Sequence, residues 1–333
     1  MLCLVPVIAA ALVPPRSFSR RDAATLAAAS SSVLIAPAAP SFAAVKAAAL
    51  PFQKQQGVKL NTGVNFPYSS FGLQVYDDSA GEKLTRIALD TGYRNFFASV
   101  LAGNQRGFAK AVKASGVPRE DIFICGSVLS NRAQGYDAAY KLSERGCREN
   151  MEAFAVGGIS YIDQIMLDYP GPDADSCRGQ WAALEAMAAA GTTKSIAVSN
   201  FSPAQLDALK GMTTPAVNQL PYGVGFGSYY AQRGTSAAEV VRQNADRGIV
   251  VQAWSPLQRA LRGRAREACA EVGQKYGVSA AQVALRWIVD TGVTYTTAAT
   301  RSINGGTEAR FVENLDIFGF KLTKEEIATL AAL

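Results

Sequence analysis

Histidine is absent from all 333 residues of this chain. Imidazole is the commonest general base near neutral pH and a frequent ligand of zinc and iron. Its absence therefore excludes His-ligated metal sites, Ser-His-Asp and Cys-His nucleophile systems and a His general base. We predict no metal site, and many common hydrolytic mechanisms are excluded.

Charge is also sparse, because charged residues make up only 18% of the chain and the net charge is +6. Part of this positive excess lies in residues 1–50, which contain a single acid, Asp22, and four basic residues, Arg16, Arg20, Arg21 and Lys46. No run of basic residues interleaved with aromatic residues follows. The pI near 9.0 therefore does not indicate a nucleic-acid partner.

Long apolar runs are lacking, since the two apolar stretches near the amino terminus, 2–13 and 23–39, fall short of the ~20 residues that span a bilayer. We predict no membrane span. The first stretch resembles the apolar core of a cleavable signal. The pair Arg20-Arg21 before the second stretch resembles a twin-arginine export signal.

These two signals predict that residues 1–55 are a targeting leader, cleavable or disordered, that directs the protein to a plastid and there to the thylakoid lumen. The alternative is a bacterial-type export signal or an ordinary organelle transit peptide, which would place the protein in another exported or organellar compartment.

Residues 56–333 alternate short apolar runs with amphipathic stretches. The strand-like runs lie at 71–75, 93–97, 122–128, 161–167, 194–199, 216–219, 249–253 and 293–299. Helical patterns between them lie at 82–89, 105–114, 138–155, 180–190 and 280–289. Eight strands that alternate with helices predict an α/β fold, a (β/α)8 TIM barrel. The rival is a doubly wound Rossmann sheet, but no GxGxxG motif follows the first strand.

Chemistry in such a barrel lies on the loops after the carboxyl ends of the strands. The motifs found there are DTGYR at 90–94, VSNF at 198–201, VNQ at 217–219, WSPL at 254–257, AQVALRW at 281–287 and ENLDIF at 313–318. In order and spacing the chain resembles the aldo-keto reductases, which are NADP(H)-dependent barrels. The resemblance implies a nicotinamide cofactor and a carbonyl substrate as small-molecule partners.

The resemblance also implies a catalytic tetrad, in which a Tyr donates the proton, a Lys paired with an Asp lowers its pKa, and a His orients the carbonyl. None of the four is present at the matching positions. Phe97 stands for the Asp, Ala102 for the Tyr, Ser127 for the Lys and Asp168 for the His. Asp168 is the only candidate acid among them.

The cofactor positions are better matched. The resemblance assigns the nicotinamide to Ser199, Asn200, Gln219 and Trp254, and the adjoining loop to Ser255 and Leu257. It assigns the adenosine 2′-phosphate end to Arg301, Ser302, Arg310, Glu313 and Asn314, with about three extra residues at 303–306 whose effect on this end is open. The alternative is that these side chains serve loop hydrogen bonds, plug the barrel mouth or carry a solvated charge.

Three functional hypotheses follow. The first is a catalytically impaired member that still binds NADP(H) and acts as a redox sensor or scaffold. The second is an active carbonyl or aldehyde reductase with a rebuilt acid, for which Asp168, Tyr169 and Tyr222 are candidates. The third is a structural or interaction barrel without cofactor.

Overall fold

A computed structural model describes residues 49–74, 76–299 and 303–333. The strands in these residues are β1 (Gly57–Lys59), β2 (Asn65–Pro67), β3 (Ser69–Gly72), β4 (Asn95–Phe97), β5 (Phe123–Val128), β6 (Gln164–Leu167), β7 (Ile196–Ser199), β8 (Val217–Pro221), β9 (Val250–Trp254) and β10 (Thr294–Thr297). The last residue of the first predicted strand, Val75, lies outside the described residues.

Strands β3 to β10 form a closed barrel in chain order, and β10 pairs with β3 to complete it. All pairings in the barrel are parallel. Each of the eight predicted apolar runs contributes one barrel strand, and the predicted (β/α)8 barrel is confirmed. Because all strands run in one direction, their carboxyl ends meet at one mouth of the barrel.

The α-helices of the described residues are α1 (Asp78–Thr91), α2 (Gln105–Ser115), α3 (Tyr136–Ala155), α4 (Ala174–Ala189), α5 (Pro203–Ala208), α6 (Gly227–Ala231), α7 (Ala237–Ala245), α8 (Gly263–Tyr276), α9 (Ala280–Asp290), α10 (Thr307–Leu315) and α11 (Lys324–Ala331). Ser202 and Ser279 close capping boxes at the starts of α5 and α9, where each hydroxyl accepts from the backbone N–H three residues on. These local signals fix the helix starts and hence the loops that follow the strands.

The amino-terminal mouth of the barrel is closed by a hairpin of β1 and β2, which the sequence analysis did not predict. Phe66 of β2 packs edge-on against Phe123 with ring centroids 5.0 Å apart, and Phe52 packs against the same ring at 5.6 Å. Phe52 lies in a short 3-10 helix at Phe52–Lys54 that the sequence analysis assigned to the leader. The packed unit therefore includes residues before the predicted boundary at 56.

The rest of the predicted leader, residues 1–48, lies outside the described residues. Within the described part of the chain, no helix is long and apolar enough to cross a membrane. The same residues contain no cluster of three or more Cys, Asp or Glu side chains with the arrangement of a metal site. The four cysteines in this part of the chain are buried and unpaired.

Candidate cofactor and active site

A cavity of about 450 Å³ opens at the carboxyl ends of the barrel strands. Its lining includes Phe97 from β4, Asp168 after β6, Ser199 from β7, Gln219 from β8, Trp254 from β9 and Thr297 from β10. Side chains far apart in the sequence are brought together here because every strand ends at the same mouth. This is the location at which barrel enzymes carry their chemistry.

Ser199, Asn200 and Gln219 form a polar cluster on one wall of this cavity. Asn200 Nδ2 donates to Ser199 Oγ at 3.0 Å and to the backbone oxygen of Asp168 at 3.3 Å. The backbone N–H of Asn200 donates to the carbonyl oxygen of Gln219 at 2.9 Å, which ties the end of β7 to β8. The cluster therefore presents hydroxyl and carboxamide groups in fixed positions.

Trp254 forms the adjoining wall. Its indole Nε1–H donates to Asn200 Oδ1 at 3.1 Å. This bond orients both the indole plane and the carboxamide of Asn200, so the flat aromatic surface and the polar cluster act as one unit.

Backbone geometry singles out the same cavity. Asn200 and Ser255 are the non-glycine residues with positive φ in the described part of the chain, at 64° and 53°. Both line the cavity. A positive φ at a non-glycine residue costs free energy, and surrounding contacts must hold the residue in this conformation. Such residues cluster at functional sites. Ser255 begins the loop that carries Leu257 along the rim of the cavity.

Asp168 is buried, with only 4% of the residue exposed, and it lies in the cavity lining. Its Oδ2 has no hydrogen-bond partner among the described residues. Burial away from water raises the pKa of this carboxyl to about 6. A titratable carboxyl in a cavity without a fixed partner is a group available to a ligand.

The other positions that match the tetrad differ in placement. Phe97 is buried and lines the same cavity as Asp168. Ser127 is fully buried, and its Oγ accepts from the backbone N–H of Val100 at 3.2 Å. Neither Ser127 nor Ala102 is part of the cavity lining. The structure thus brings Phe97 and Asp168, but not Ser127 or Ala102, to the cavity.

The two tyrosines proposed as replacement acids also differ in their position relative to the cavity. Tyr169 lies on the cavity rim. Tyr222 points away, because its ring stacks on Trp287 with centroids 5.3 Å apart and its hydroxyl donates to Thr291 Oγ1. Burial raises the pKa of Tyr222 to about 12. Tyr222 is therefore not placed to protonate a ligand in the cavity, and this sequence-based candidate is wrong.

The predicted 2′-phosphate end lies on α10 and the segment before it, and Arg301 and Ser302 fall outside the described residues. Arg310 Nη2 donates to Asn304 Oδ1 and to Thr307 Oγ1, both at 3.2 Å. The inserted segment thus supplies an acceptor to Arg310 that the motif did not predict.

The two other predicted residues of this end follow on α10. Asn314 is buried and its carbonyl oxygen accepts from the Tyr295 hydroxyl at 2.7 Å, whereas Glu313 is partly exposed. Asn314 therefore has a structural bond to strand β10, and its role toward a cofactor stays a prediction.

Sequence reasoning missed several polar groups around the cavity. Gln252, on the strand next to Gln219, accepts a hydrogen bond at 2.7 Å from Gln219 Nε2 through its Oε1 and so orients that carboxamide. Thr296 and Thr297 line the cavity from β10. The signal that could have found Gln252 is a single polar residue in the otherwise apolar strand Val250–Trp254. The adjacent Thr296 and Thr297 lie in the polar strand Thr294–Thr297 and gave no such signal.

The sequence and structure of this chain match one known family over most of its length. The model of the aldo/keto reductase family matches residues 69–333. The chain belongs to the aldo/keto reductase family. Members of this family act through a nicotinamide cofactor on carbonyl compounds. The candidate site of this aldo/keto reductase is the cavity at the barrel mouth.

Relatives with similar sequence identity to this chain are named for different activities. The chain is 32% identical over 292 residues to an aldo-keto reductase of Mycolicibacterium smegmatis, covering 86% of this chain and 92% of that protein. It is 32% identical to the glyoxal reductase of Bacillus subtilis, covering 85% and 95%, and 31% identical to the morphine 6-dehydrogenase of Pseudomonas putida, covering 83% and 90%.

Among solved structures, this aldo/keto reductase is similar to the crystal structure of an aldo/keto reductase from Brucella melitensis. The TM-score is 0.71 at 28% sequence identity, and the match covers 84% of this chain and 99% of that one.

The cavity fits the nicotinamide end of the family's cofactor. A carboxamide needs hydrogen-bond donors and acceptors together, which Ser199, Asn200 and Gln219 supply. A planar ring needs a flat apolar surface, which Trp254 supplies. Asp168, whose buried Oδ2 has no hydrogen-bond partner, is also among the residues that line this cavity.

Proposed function

We propose that this aldo/keto reductase binds NADP(H) in the barrel-mouth cavity, has lost the tyrosine-dependent carbonyl reduction of its family, and acts as a redox sensor or scaffold. The observation that carries the proposal is the placement of Ser199, Asn200, Gln219 and Trp254 in one cavity. The position that matches the proton donor holds Ala102, whose methyl group has no proton to donate.

The loss of activity is supported by the composition of the other matching positions. Phe97 has no carboxylate to pair with a lysine, and Ser127 has no positive charge that would lower the pKa of a tyrosine. Groups that act as a unit lose their effect together, so the absence of all four leaves cofactor positioning as the remaining function of the site.

The residues present would hold the cofactor as follows. Ser199, Asn200 and Gln219 would bind the carboxamide, and Trp254 would stack on the nicotinamide ring. Ser255 and Leu257, on the loop after β9, line the same cavity and would contact the bound cofactor. When bound, the nicotinamide supplies or accepts a hydride.

The test is a titration of the protein with NADPH and, separately, NADH, together with turnover assays on a panel of aldehydes and ketones. Glyoxal belongs in the panel because a relative is named for it. Saturable NADPH binding without turnover supports the proposal, and ordinary carbonyl reduction contradicts the loss of activity. If neither nucleotide binds a folded protein, the chain is instead an interaction barrel without cofactor.

Arg310→Ala tests the proposed 2′-phosphate end in the same titration. We expect weaker binding of NADPH and unchanged binding of NADH, because only NADPH carries the phosphate that a guanidinium would contact. Arg106→Ala, an exposed arginine on α2, is the matched control. An equal loss of both nucleotides in Arg310→Ala would show that the side chain supports the fold of the segment instead.

A second candidate function is carbonyl reduction with Asp168 as the acid. It is favoured by the position of Asp168 in the cavity lining, by its buried Oδ2 without a hydrogen-bond partner and by a carboxyl pKa raised to about 6. The carbonyl carbon would receive the hydride and the carbonyl oxygen would take the proton of Asp168. Turnover that is abolished by Asp168→Asn would support this candidate, and an unchanged rate would exclude it.

We also propose that residues 1–55 carry the targeting information and direct the protein to a plastid and its thylakoid lumen. The proposal rests on the two signal-like stretches and on Arg20-Arg21. A fluorescent protein fused behind residues 1–55 should accumulate in the plastid, and replacement of both arginines by Lys should block the final export step. Another destination would contradict the proposal.

A further inference from the structure

Asp168 brings a carboxyl group into a cavity that holds little else that ionises. Among the described residues that line this cavity, Asp168 and Tyr169 are the titratable ones, and no Lys or Arg side chain is present. Cys125 on β5 and Tyr169 feel the charge of Asp168. Both are neutral at pH 7 to 8, because burial and, to a smaller extent, the charge of Asp168 raise the pKa of each. When ionised, Asp168 thus places an uncompensated negative charge in the cavity.

The backbone of Asp168 is bonded to the polar cluster that would hold the nicotinamide. Asn200 Nδ2 donates to the backbone oxygen of Asp168 at 3.3 Å, and Trp254 Nε1 donates to Asn200 Oδ1 at 3.1 Å. A ligand bound to this cluster therefore lies in the cavity that Asp168 lines.

The two oxidation states of a nicotinamide ring differ in charge, because the oxidised ring is a cation and the reduced ring is neutral. A negative charge in a cavity of low polarity attracts the cationic oxidised ring and adds no such attraction for the neutral reduced ring. We propose that the Asp168 carboxylate makes the affinity of this cavity depend on the oxidation state of the cofactor. With the carboxylate present, the oxidised form binds more tightly than it does in a protein without it.

This inference rests on the proposed function, since it requires that the cavity binds the nucleotide. It gives that function a physical basis, because a sensor needs different affinities for the two states it reports. Linkage is reciprocal, so bound NADP⁺ in turn favours the ionised form of Asp168.

The direction of the pH dependence follows from the burial of Asp168. Its pKa is raised to about 6, so the carboxyl is charged at pH 8 and largely neutral at pH 5. The preference for the oxidised form should therefore be present at pH 8 and should fall as the pH is lowered through about 6. The 2′-phosphate of the ligand also titrates near pH 6, and it does so equally in wild type and in variants.

The experiment compares the full chain with Asp168→Asn, which keeps the shape of the side chain and removes the charge. Calorimetric titrations at pH 8 give dissociation constants for NADP⁺ and NADPH. We expect Asp168→Asn to lower the ratio of the NADPH to the NADP⁺ dissociation constant by roughly tenfold or more. Asp137→Asn, an exposed carboxyl on α3 outside the cavity, should leave the ratio unchanged.

A second measurement uses wild type alone and does not depend on the folding of the variant. Binding of NADP⁺ at pH 6 in weak buffer should release protons, which a pH indicator detects, and binding of NADPH should release fewer.

The outcomes separate the inference from the function on which it rests. If both nucleotides bind and the ratio is the same in wild type and Asp168→Asn, the inference is overturned while cofactor binding stands. If neither nucleotide binds wild type, the proposed function fails and the inference fails with it.

Discussion

The indole Nε1–H of Trp254 donates a hydrogen bond to Oδ1 of Asn200 at 3.1 Å, across the cavity wall from β9 to the loop after β7. A tyrosine or phenylalanine at position 254 would keep an aromatic surface but could not make this bond in the same way, because an indole carries its donor on the ring itself. The Trp254 side chain thus supplies the flat surface and also orients the carboxamide of Asn200.

Two substitutions separate these contributions. Trp254→Phe should weaken NADPH binding by about fivefold, the effect of one net hydrogen bond of roughly 1 kcal/mol. Trp254→Ala also removes the stacking surface and should weaken binding by a further ten- to hundredfold. Titration of each variant with NADPH measures both steps. Equal losses in the two variants would show that the ring contributes nothing beyond its bond to Asn200.

The buried carboxylate of Asp163, at the amino ends of the barrel strands, pairs with two partly exposed cations and predicts an effect on stability without an effect on binding. Asp163, which is 1% exposed, accepts from Arg119 Nη2 at 2.7 Å and from Lys194 Nζ at 3.3 Å. Both cations also lie 4.2 Å from the ring centre of Tyr161. Asp163→Ala leaves Arg119 without its buried partner and should lower the free energy of unfolding by roughly 3–5 kcal/mol.

The measurement for Asp163→Ala is denaturant unfolding, with NADPH affinity determined under native conditions. Asp207→Asn is the control, since Asp207 pairs with Lys210 and Arg247 while its side chain is 41% exposed, and such pairs contribute under about 1 kcal/mol. A similar loss for both variants would contradict the role of burial. Reduced NADPH affinity in Asp163→Ala at full folding would contradict a purely structural role.

The closure of the amino-terminal mouth predicts that the residues before the hairpin contribute to stability. Phe52 is 3% exposed and packs edge-on against Phe123. Phe52→Ala should lower the free energy of unfolding by roughly 3 kcal/mol, because it leaves a cavity beside that ring. Unfolding curves test this, with exposed Lys54→Ala in the same short helix as the control. No difference between the two variants would place residues 51–54 outside the cooperative unit.

The same region shows what the sequence could not reveal about the fold. The eight barrel strands were predictable because each lies in or next to a short run of apolar residues, as in β7 (Ile196–Ser199), which is buried along its whole length. Strands β1 and β2 contain three residues each, with polar side chains and a proline. Their apolar contacts, such as Phe66 with Phe123, exist only once the barrel has closed above them. The sequence of residues 57–67 alone therefore does not predict a hairpin.

The candidate site divides in a similar way. Motif order was enough to place Ser199, Gln219 and Trp254 at one mouth, because strand ends of a parallel barrel converge. The bond from Gln219 to Gln252 and the outward direction of Tyr222 depend on strand register and side-chain packing. Arg310 was predicted from its place on α10, but its bond to Asn304 arises from an insertion that has no counterpart in the motif.

The raised pKa of Asp168 predicts a dependence of stability on pH that is independent of any ligand. Burial raises this pKa to about 6 from 3.8, so between these values the folded protein binds more protons than the unfolded chain. Stability contributed by the neutral carboxyl is therefore present at low pH and is lost as the pH rises through about 6. Asp168→Asn, which cannot ionise, should be as stable as wild type near pH 3, below both pKa values, and more stable at pH 8, by up to about 3 kcal/mol. Thermal or urea unfolding of both proteins across this pH range measures the difference. A constant difference at all pH values would mean that the carboxyl ionises as easily in the folded cavity as in water, and the electrostatic basis of the inferred cofactor discrimination would be lost with it.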